Sequence, residues 1–560
     1  MDEGLRLGAN FVDYTLIAIY FVFVLGIGIA ARRAVSSSLD FFLSGRSLPA
    51  WVTGLAFISA NLGAVEITGM SANGVEYGIP SVHYFWIGAV PAMLFLGVVM
   101  MPFYYGSKVR SVPEFMLRRF GPTAHLVNAI SFAVAQLLIA GINLYLLAKI
   151  VNVILGWSLP ISLVVAAVIV LTYTTLGGLS AAIYNEVLQF FVIVAALLPL
   201  TIIGLYKVGG YGGLKEKILA AGARGGESHL SSWPGTNLTG IDNGVLSVIG
   251  IVFGLGFVLS FGYWTTNFVE VQRAMASKSI SAAQRAPIIG AFPKMFIPFI
   301  VIFPGMIASV TVAEYASADT NADYNNALIY LFRDLLPNGM LGLAITGLLA
   351  SFMAGMAANI SAFNTVFSYD LWQTYVVKNK PDGYYLAVGR WATVAATVVA
   401  IGTATFAASY DNIMGYLQTL FGFFNAPLFA TFILGMFWKR MTASAGWTGL
   451  VSGTVAAIVV SVLSQDALGS LSTGAIGLSG QGASFVAAGA AFVVDILVSV
   501  VVTLATRPKP ESELRGLVYS LTPKQDFHDD TEGVLAWYQQ PTKLAGIGLV
   551  LVVVLNIIFW

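Results

Sequence analysis

Runs of apolar residues long enough to cross the hydrocarbon core of a bilayer, roughly 20 residues each, recur fourteen times along this chain. They fall at approximately 11–31, 48–79, 81–104, 123–154, 158–175, 180–206, 243–271, 287–312, 338–371, 384–408, 411–437, 444–464, 483–505 and 543–560. A backbone in lipid must satisfy its own hydrogen bonds, so such a chain folds as a bundle of transmembrane helices. The expectation is an all-α, polytopic membrane protein in which residues 1–560 form one transmembrane unit of about 14 transmembrane helices.

Composition narrows the function. Only 10% of the residues are charged, against about a quarter in soluble chains, and 57% are hydrophobic. With 28 basic and 27 acidic residues the net charge is +1, so no nucleic acid is implied as a partner. The absence of cysteine excludes disulfides, a thiol nucleophile and a cysteine metal site. The four histidines, His83, His125, His229 and His528, are not spaced as metal pairs. No clustered catalytic set stands out; neither an enzyme nor an organic cofactor is expected, and the lipid bilayer is the main surrounding.

The charges between the runs report topology. Asp2 and Glu3 precede the first run and Arg32 and Arg33 follow it, the reverse of a cleaved signal peptide. Taking alternate loops from there, one set holds Arg32, Arg33, Arg46, Lys108, Arg110, Arg118, Arg119, Arg273, Lys278, Arg285, Lys378, Lys380, Arg390, Lys439, Arg440, Arg507, Lys509, Arg515 and Lys524. The opposite set holds Arg6, Lys207, Lys215, Lys217, Arg224 and Arg333. A 19 to 6 split obeys the positive-inside rule and places both the N-terminus and the C-terminus outside the plasma membrane.

Two runs are interrupted. In 48–79 the sequence Ser59-Ala60-Asn61-Leu62-Gly63-Ala64-Val65-Glu66 puts small and polar residues at membrane depth, and Ser260 to Asn267 does the same in 243–271. Unwound backbone there must line a cavity or be buried, and paired interruptions in matching positions point to a transporter's binding site. The interrupted runs are the second and seventh, which divides the chain into a first five-helix repeat, 48–206, a second and inverted one, 243–437, and flanking helices over 438–560. Charges inside the membrane are costly and are candidates for function: Glu66, Glu186, Glu270, Lys294 and Asp495. By position in its run, Lys294 lies less than two turns inside, where it can snorkel, Glu270 falls at the interface, and Asp495 suits an interhelical contact.

The run Tyr173-Thr174-Thr175-Leu176-Gly177-Gly178-Leu179-Ser180-Ala181-Ala182, followed by Glu186 and Gln189, resembles the signature of the sodium:solute symporter family. Ser59 to Gly63, Tyr263-Trp264 with Asn267, Gln272-Arg273, Lys294, Gln418 and Phe437-Trp438-Lys439-Arg440 are similar to its sodium/sugar branch. The resemblance implies a LeuT-like fold of inverted five-helix repeats working by alternating access. It implies that Asn61, Glu66, Ser260, Lys294 and Gln418 contact a sugar, that Tyr263 caps the sugar as a gate, and that Glu186 holds an acidic position of the signature. Two departures stand out: the branch's acid early in the third helix is Phe85, and its usual Gln or His in the second is Glu66. A modified sugar, a polyol or another small polar solute fits as well.

For the coupling ion, Na+, the resemblance implies backbone carbonyls at Ser59 and Leu62, a carbonyl at Ser351, and hydroxyls at positions that here are Ala354 and Gly355. A hard cation wants oxygen ligands, and two are missing. Water or a neighbouring hydroxyl can complete the shell, the ion can sit elsewhere, or a proton can drive transport through a carboxylate such as Glu66. The expected function is a symporter taking up a small polar solute, sugar first, with sodium. The alternative is a proton-coupled or facilitative carrier on the same fold; the oligomeric state is left open.

Overall fold

A computed structural model describes the chain apart from residues 1–5, 33–42, 108, 110, 222–225, 234–235, 242, 317–322, 409, 411–412, 466, 469–470 and 524–534, and apart from the side chains of 31–32, 173–178, 236–237 and 316. Several elements of the sequence reading lie outside the described residues: Arg33, Lys108, Arg110, Arg224 and Lys524 of the charge count, and the side chains of Arg32 and of Tyr173 to Gly178.

The principal helices are α1 (Phe11–Arg32), α2 (Ala50–Asn61), α3 (Ala64–Glu76), α4 (Ile79–Gly106), α5 (Val112–Phe120), α6 (Pro122–Leu155), α7 (Leu159–Val208), α8 (Gly210–Ala220), α9 (Gly244–Thr266), α10 (Phe268–Met275), α11 (Ile280–Thr311), α12 (Ala327–Leu335), α13 (Met340–Val376), α14 (Asp382–Ala407), α15 (Ile413–Phe437), α16 (Ala443–Leu463), α17 (Gly480–Ala505) and α18 (Pro541–Ile558). Twelve helices among the described residues are long and apolar enough to cross a membrane, the bent pair α2–α3 makes a thirteenth span, and Leu159–Thr172 is a further, shorter apolar stretch. The β-pairing among them is a single bridge between Leu48 and Ser277.

The fifth and sixth runs are not parted by a loop. The backbone is helical through all 50 residues of α7. That is about 75 Å if straight, against a hydrocarbon core of about 30 Å, so one helical run carries two apolar stretches. The sequence reading ended one run at 175 and began the next at 180; Gly177 and Gly178 between them do not interrupt the helix, since glycine only lowers helix stability and does not forbid it.

Both interruptions are real. α2 ends at Leu62 and α3 starts after Gly63, whose backbone is extended, and the two axes differ by 56°. The second break is a single residue, Asn267, extended at φ −71°, ψ 116°; its side chain accepts from the Val269 N–H and so caps α10. Asn is a strong N-cap, which is why this helix restarts there. α13 is the most enclosed span, with 89% of its apolar window buried. α18, at 11%, lies on the periphery.

Glycines set how closely the spans approach. A Cβ at Gly305 on α11 would lie 2.0 Å from the Ser71 carbonyl of α3, and one at Gly74 2.3 Å from the Ile302 carbonyl. At the end of α15, the buried Arg119 of α5 donates to the carbonyls of Gly435, Trp438 and Met441 at 2.8, 3.2 and 3.1 Å. A cation on the C-terminal carbonyls of a helix is favourable by its dipole, and this gives the Phe437-Trp438 end of α15 a structural partner.

Candidate functional site

The two breaks face one cavity of about 90 Å³, small beside the ~300–1,000 Å³ of sites for drug-sized ligands, whose wall includes Asn61, Glu66, Tyr84, Phe85, Asn143, Ser260, Tyr263, Trp264, Lys294, Gly355, Asn359, Gln418 and Phe421. The six residues assigned to solute from the sequence, Asn61, Glu66, Ser260, Tyr263, Lys294 and Gln418, are thus brought together from α2, α3, α9, α11 and α15. Where half-helices end, their free N–H and C=O groups and side chains face the space between them.

Lys294 is the hub. Its ammonium donates to Glu66 Oε1 and to Asn61 Oδ1. The rings of Phe85 and Trp264 flank it, with centroids 4.9 and 5.1 Å from Nζ, within the range of a cation–π contact. Lys294 is 1% exposed. It does not snorkel: α11 starts at Ile280, so the lysine sits four turns along the span instead of two. The departures read from the sequence are two sides of one arrangement: the carboxylate stands on α3 as Glu66, while Phe85 on α4 offers its ring to the ammonium.

From the lysine the polar network continues to the aromatic wall. Asn61 Nδ2 donates to the Tyr263 hydroxyl at 3.1 Å, and that hydroxyl donates to Glu270 Oε1 at 2.6 Å. The Tyr263 ring stacks on Phe421, centroids 4.4 Å apart. Glu270 is therefore not interfacial; it is fully buried in the first turn of α10, the helix that Asn267 caps. Gln418 has the Met414 thioether at 3.4 Å as its hydrogen-bond partner, a weak acceptor. Ser260 Oγ occupies space that a Cβ on Gly88 would fill, 2.3 Å away.

Glu186 is placed elsewhere. Arg273 clamps it in a buried pair, Nη2 to Oε1 at 2.6 Å and Nε to Oε2 at 3.2 Å, joining α10 to α7. Asp495 accepts from Thr431 at 2.8 Å across α15 and α17. His83 bonds the Ser232 carbonyl at 2.7 Å within the core.

The residues assigned to the ion lie at the first break. Ser351 Oγ donates to the Leu62 carbonyl at 2.7 Å, tying α13 to the unwound segment. Ser59 Oγ is buried without a hydrogen-bond partner among the described residues. Ala354 is fully buried, and Gly355 is at the cavity wall beside Gly63. No cluster of three His, Cys, Asp or Glu occurs among the described residues, so a cation there would rely on carbonyl, hydroxyl and amide oxygens. Sequence reasoning missed Phe421 and Asn143, neither of which belongs to a motif; it placed Glu270 at the interface and noted Phe85 only as a departure from an acid.

The profile of the sodium:solute symporter family matches residues 41–453. The chain is 29% identical over 467 residues to the sodium/glucose cotransporter of Vibrio parahaemolyticus, covering 80% of this chain and 84% of that protein. It is 29% identical to human sodium/glucose cotransporter 4, over 80% of this chain and 69% of the other, and 28% to human sodium/myo-inositol cotransporter 2, over 82% and 71%. A sodium-coupled sialic acid symporter superposes with a TM-score of 0.74 at 19% identity, covering 89% of this chain and 98% of that one. A nucleobase-cation-symport-1 family transporter gives 0.53 at 16%, over 84% and 96%. At these identities the likeness establishes the fold, the LeuT-like arrangement of inverted five-helix repeats with flanking helices.

Proposed function

Because the chain belongs to the sodium:solute symporter family, we propose that it carries a sugar or cyclic polyol across the plasma membrane together with sodium. Sodium-coupled symport of a small solute is the family's activity, and the protein is a multi-pass membrane transporter without catalytic chemistry. The observation that supports the solute class is the make-up of the cavity. A polyhydroxylated ring needs donors and acceptors around its rim and apolar surface against its C–H faces. Asn61, Glu66, Ser260, Lys294 and Gln418 supply the first, and Tyr263, Phe421 and Trp264 the second. The relatives named for glucose and myo-inositol share that solute chemistry.

In this reading sodium binds at Ser59, Leu62 and Ser351 and holds the first break in the geometry that presents Asn61 and Glu66 to the solute. The solute enters between the breaks and takes over part of the Lys294 network. Tyr263, held by Asn61 and Glu270, closes the inner side and leaves when one bundle rocks against the rest; both termini face outward. Any conformational shift is limited by the differential affinity of ion and solute for the two states. The test is uptake of labelled glucose, galactose, myo-inositol and small carboxylates into proteoliposomes under a sodium gradient. Saturable accumulation of a polyhydroxylated ring is expected; accumulation of carboxylates alone would overturn the solute class.

A further inference from the structure

Asn143 stands in the middle of α6, in an otherwise apolar stretch. Its Nδ2 donates to the Ile139 carbonyl at 3.1 Å, one turn back on the same helix. That bond fixes which way round the amide lies, and it sends Oδ1 away from α6. The residue is 3% exposed, and Oδ1 is buried without a hydrogen-bond partner among the described residues. Leaving a buried acceptor bare is costly, and an orphan of this kind calls for an occupant such as water or an ion.

The oxygen is aimed at the meeting point of the first helix break and α13. A Cβ on Gly355 would lie 2.7 Å from Oδ1 and 3.0 Å from the Gly63 Cα; one on Gly63 would lie 3.1 Å from Oδ1 and 3.1 Å from the Gly355 Cα. Two glycines therefore make room for one amide oxygen. Ser351 lies four residues before Gly355 on the same face of α13, with its hydroxyl on the Leu62 carbonyl. Ser59, in the last turn of α2, adds a second buried hydroxyl without a partner among the described residues.

We propose that Asn143 Oδ1 supplies the side-chain oxygen that Gly355 lacks, completing a sodium site at the first break with Leu62, Ser59 and Ser351. The proposal rests on the sodium-coupled reading above and assigns α6, the fourth apolar run, a direct part in holding the ion. The chemistry fits: sodium is a hard cation that takes neutral carbonyl, amide and hydroxyl oxygens. The two ways of building the site exclude each other, since any side chain at position 355 collides with Asn143. Asn143 also lines the solute cavity, so a solute hydroxyl is the competing occupant.

The experiment uses the full chain in nanodiscs without solute, reading thermal stability against sodium chloride at constant ionic strength and binding of labelled sodium. The wild type is expected to show a saturable, sodium-specific rise in melting temperature. Asn143→Ala should raise the half-saturating sodium concentration at least tenfold in the absence of solute. Adding Gly355→Ser to Asn143→Ala should bring sodium affinity back to within threefold of wild type, because the hydroxyl enters the space the amide left. Asn143→Asp, equal in size and retaining the oxygen, should bind sodium at least as tightly and serves if the alanine variant fails to fold; loss of sodium binding in it overturns the proposal. A wild-type sodium response in Asn143→Ala overturns this proposal alone, and the same response with weakened solute binding hands the oxygen to the solute. A wild type with no sodium-specific response overturns both this proposal and the symport reading.

Discussion

Glu66 and Lys294, 228 positions apart in the chain, form a buried ion pair between α3 and α11, with the rings of Phe85 and Trp264 flanking the ammonium. Breaking such a pair leaves one charge buried without its counter-charge, which typically costs about 3–5 kcal/mol, whereas replacing both partners by apolar residues is often neutral. Lys294→Met and Glu66→Leu should each lower the melting temperature by several degrees, and the double variant should recover most of it. None of the three should transport. Melting curves in nanodiscs and proteoliposome uptake check this; transport by the double variant would separate the pair from the solute.

Tyr263 combines a ring stacked on Phe421 with a hydroxyl shared between Asn61 and Glu270. Tyr263→Phe keeps the stack and loses two hydrogen bonds of roughly 0.5–1.5 kcal/mol each. Its transport kcat/KM should fall about tenfold. Tyr263→Ala removes the wall as well and should fall at least a hundredfold. Initial rates over a solute series read both.

Arg273 and Glu186 hold α10 against α7 in a fully buried, two-bond pair. Arg273→Ala should cost about 3–5 kcal/mol by leaving Glu186 unpaired. The charge-swapped double variant, Glu186→Arg with Arg273→Glu, should be more stable than the sum of its single variants by over about 1 kcal/mol, the coupling expected of contacting residues. A double-mutant cycle on chemical or thermal unfolding measures it.

Glycine substitutions should separate contact from propensity. At Gly305 a Cβ would sit 2.0 Å from the Ser71 carbonyl, a backbone atom that cannot swing away. Gly305→Ala should therefore destabilise by at least the ~1–3 kcal/mol of an overpacked core. Gly212, in α8, has nothing within 4 Å of its built Cβ. There Gly212→Ala should stabilise, by up to about 1 kcal/mol from helix propensity.

Length and polarity made the spans and both breaks legible, because a chain in lipid must declare every apolar crossing and every interruption in its composition. Individual site residues were legible where they sit in those interruptions or in a familiar motif: Asn61, Glu66, Ser260, Tyr263, Lys294 and Gln418 all reached one cavity wall. Pairing was not legible. Nothing in the sequence says that Lys294 meets Glu66, or that the ring of Phe85 lies against the ammonium. Glu270 was misplaced because its burial comes from what packs around it, including the Tyr263 hydroxyl that donates to it, a tertiary matter. Asn143 gave no signal, since a lone amide in an apolar helix gains meaning only from the two glycines opposite it. The runs 158–175 and 180–206 were read as separate, where the backbone stays helical through α7.

The central claim is that sodium drives a solute through the cavity between the two breaks. Its most direct test is accumulation of the transported solute in proteoliposomes under an inward sodium gradient, compared with sodium-free buffer carrying an imposed pH gradient. The expected result is concentrative uptake with sodium, none with the pH gradient alone, and loss of the sodium-driven uptake in Glu66→Gln and Asn61→Ala. Equal accumulation under the pH gradient without sodium, or unchanged uptake in those two variants, would contradict it.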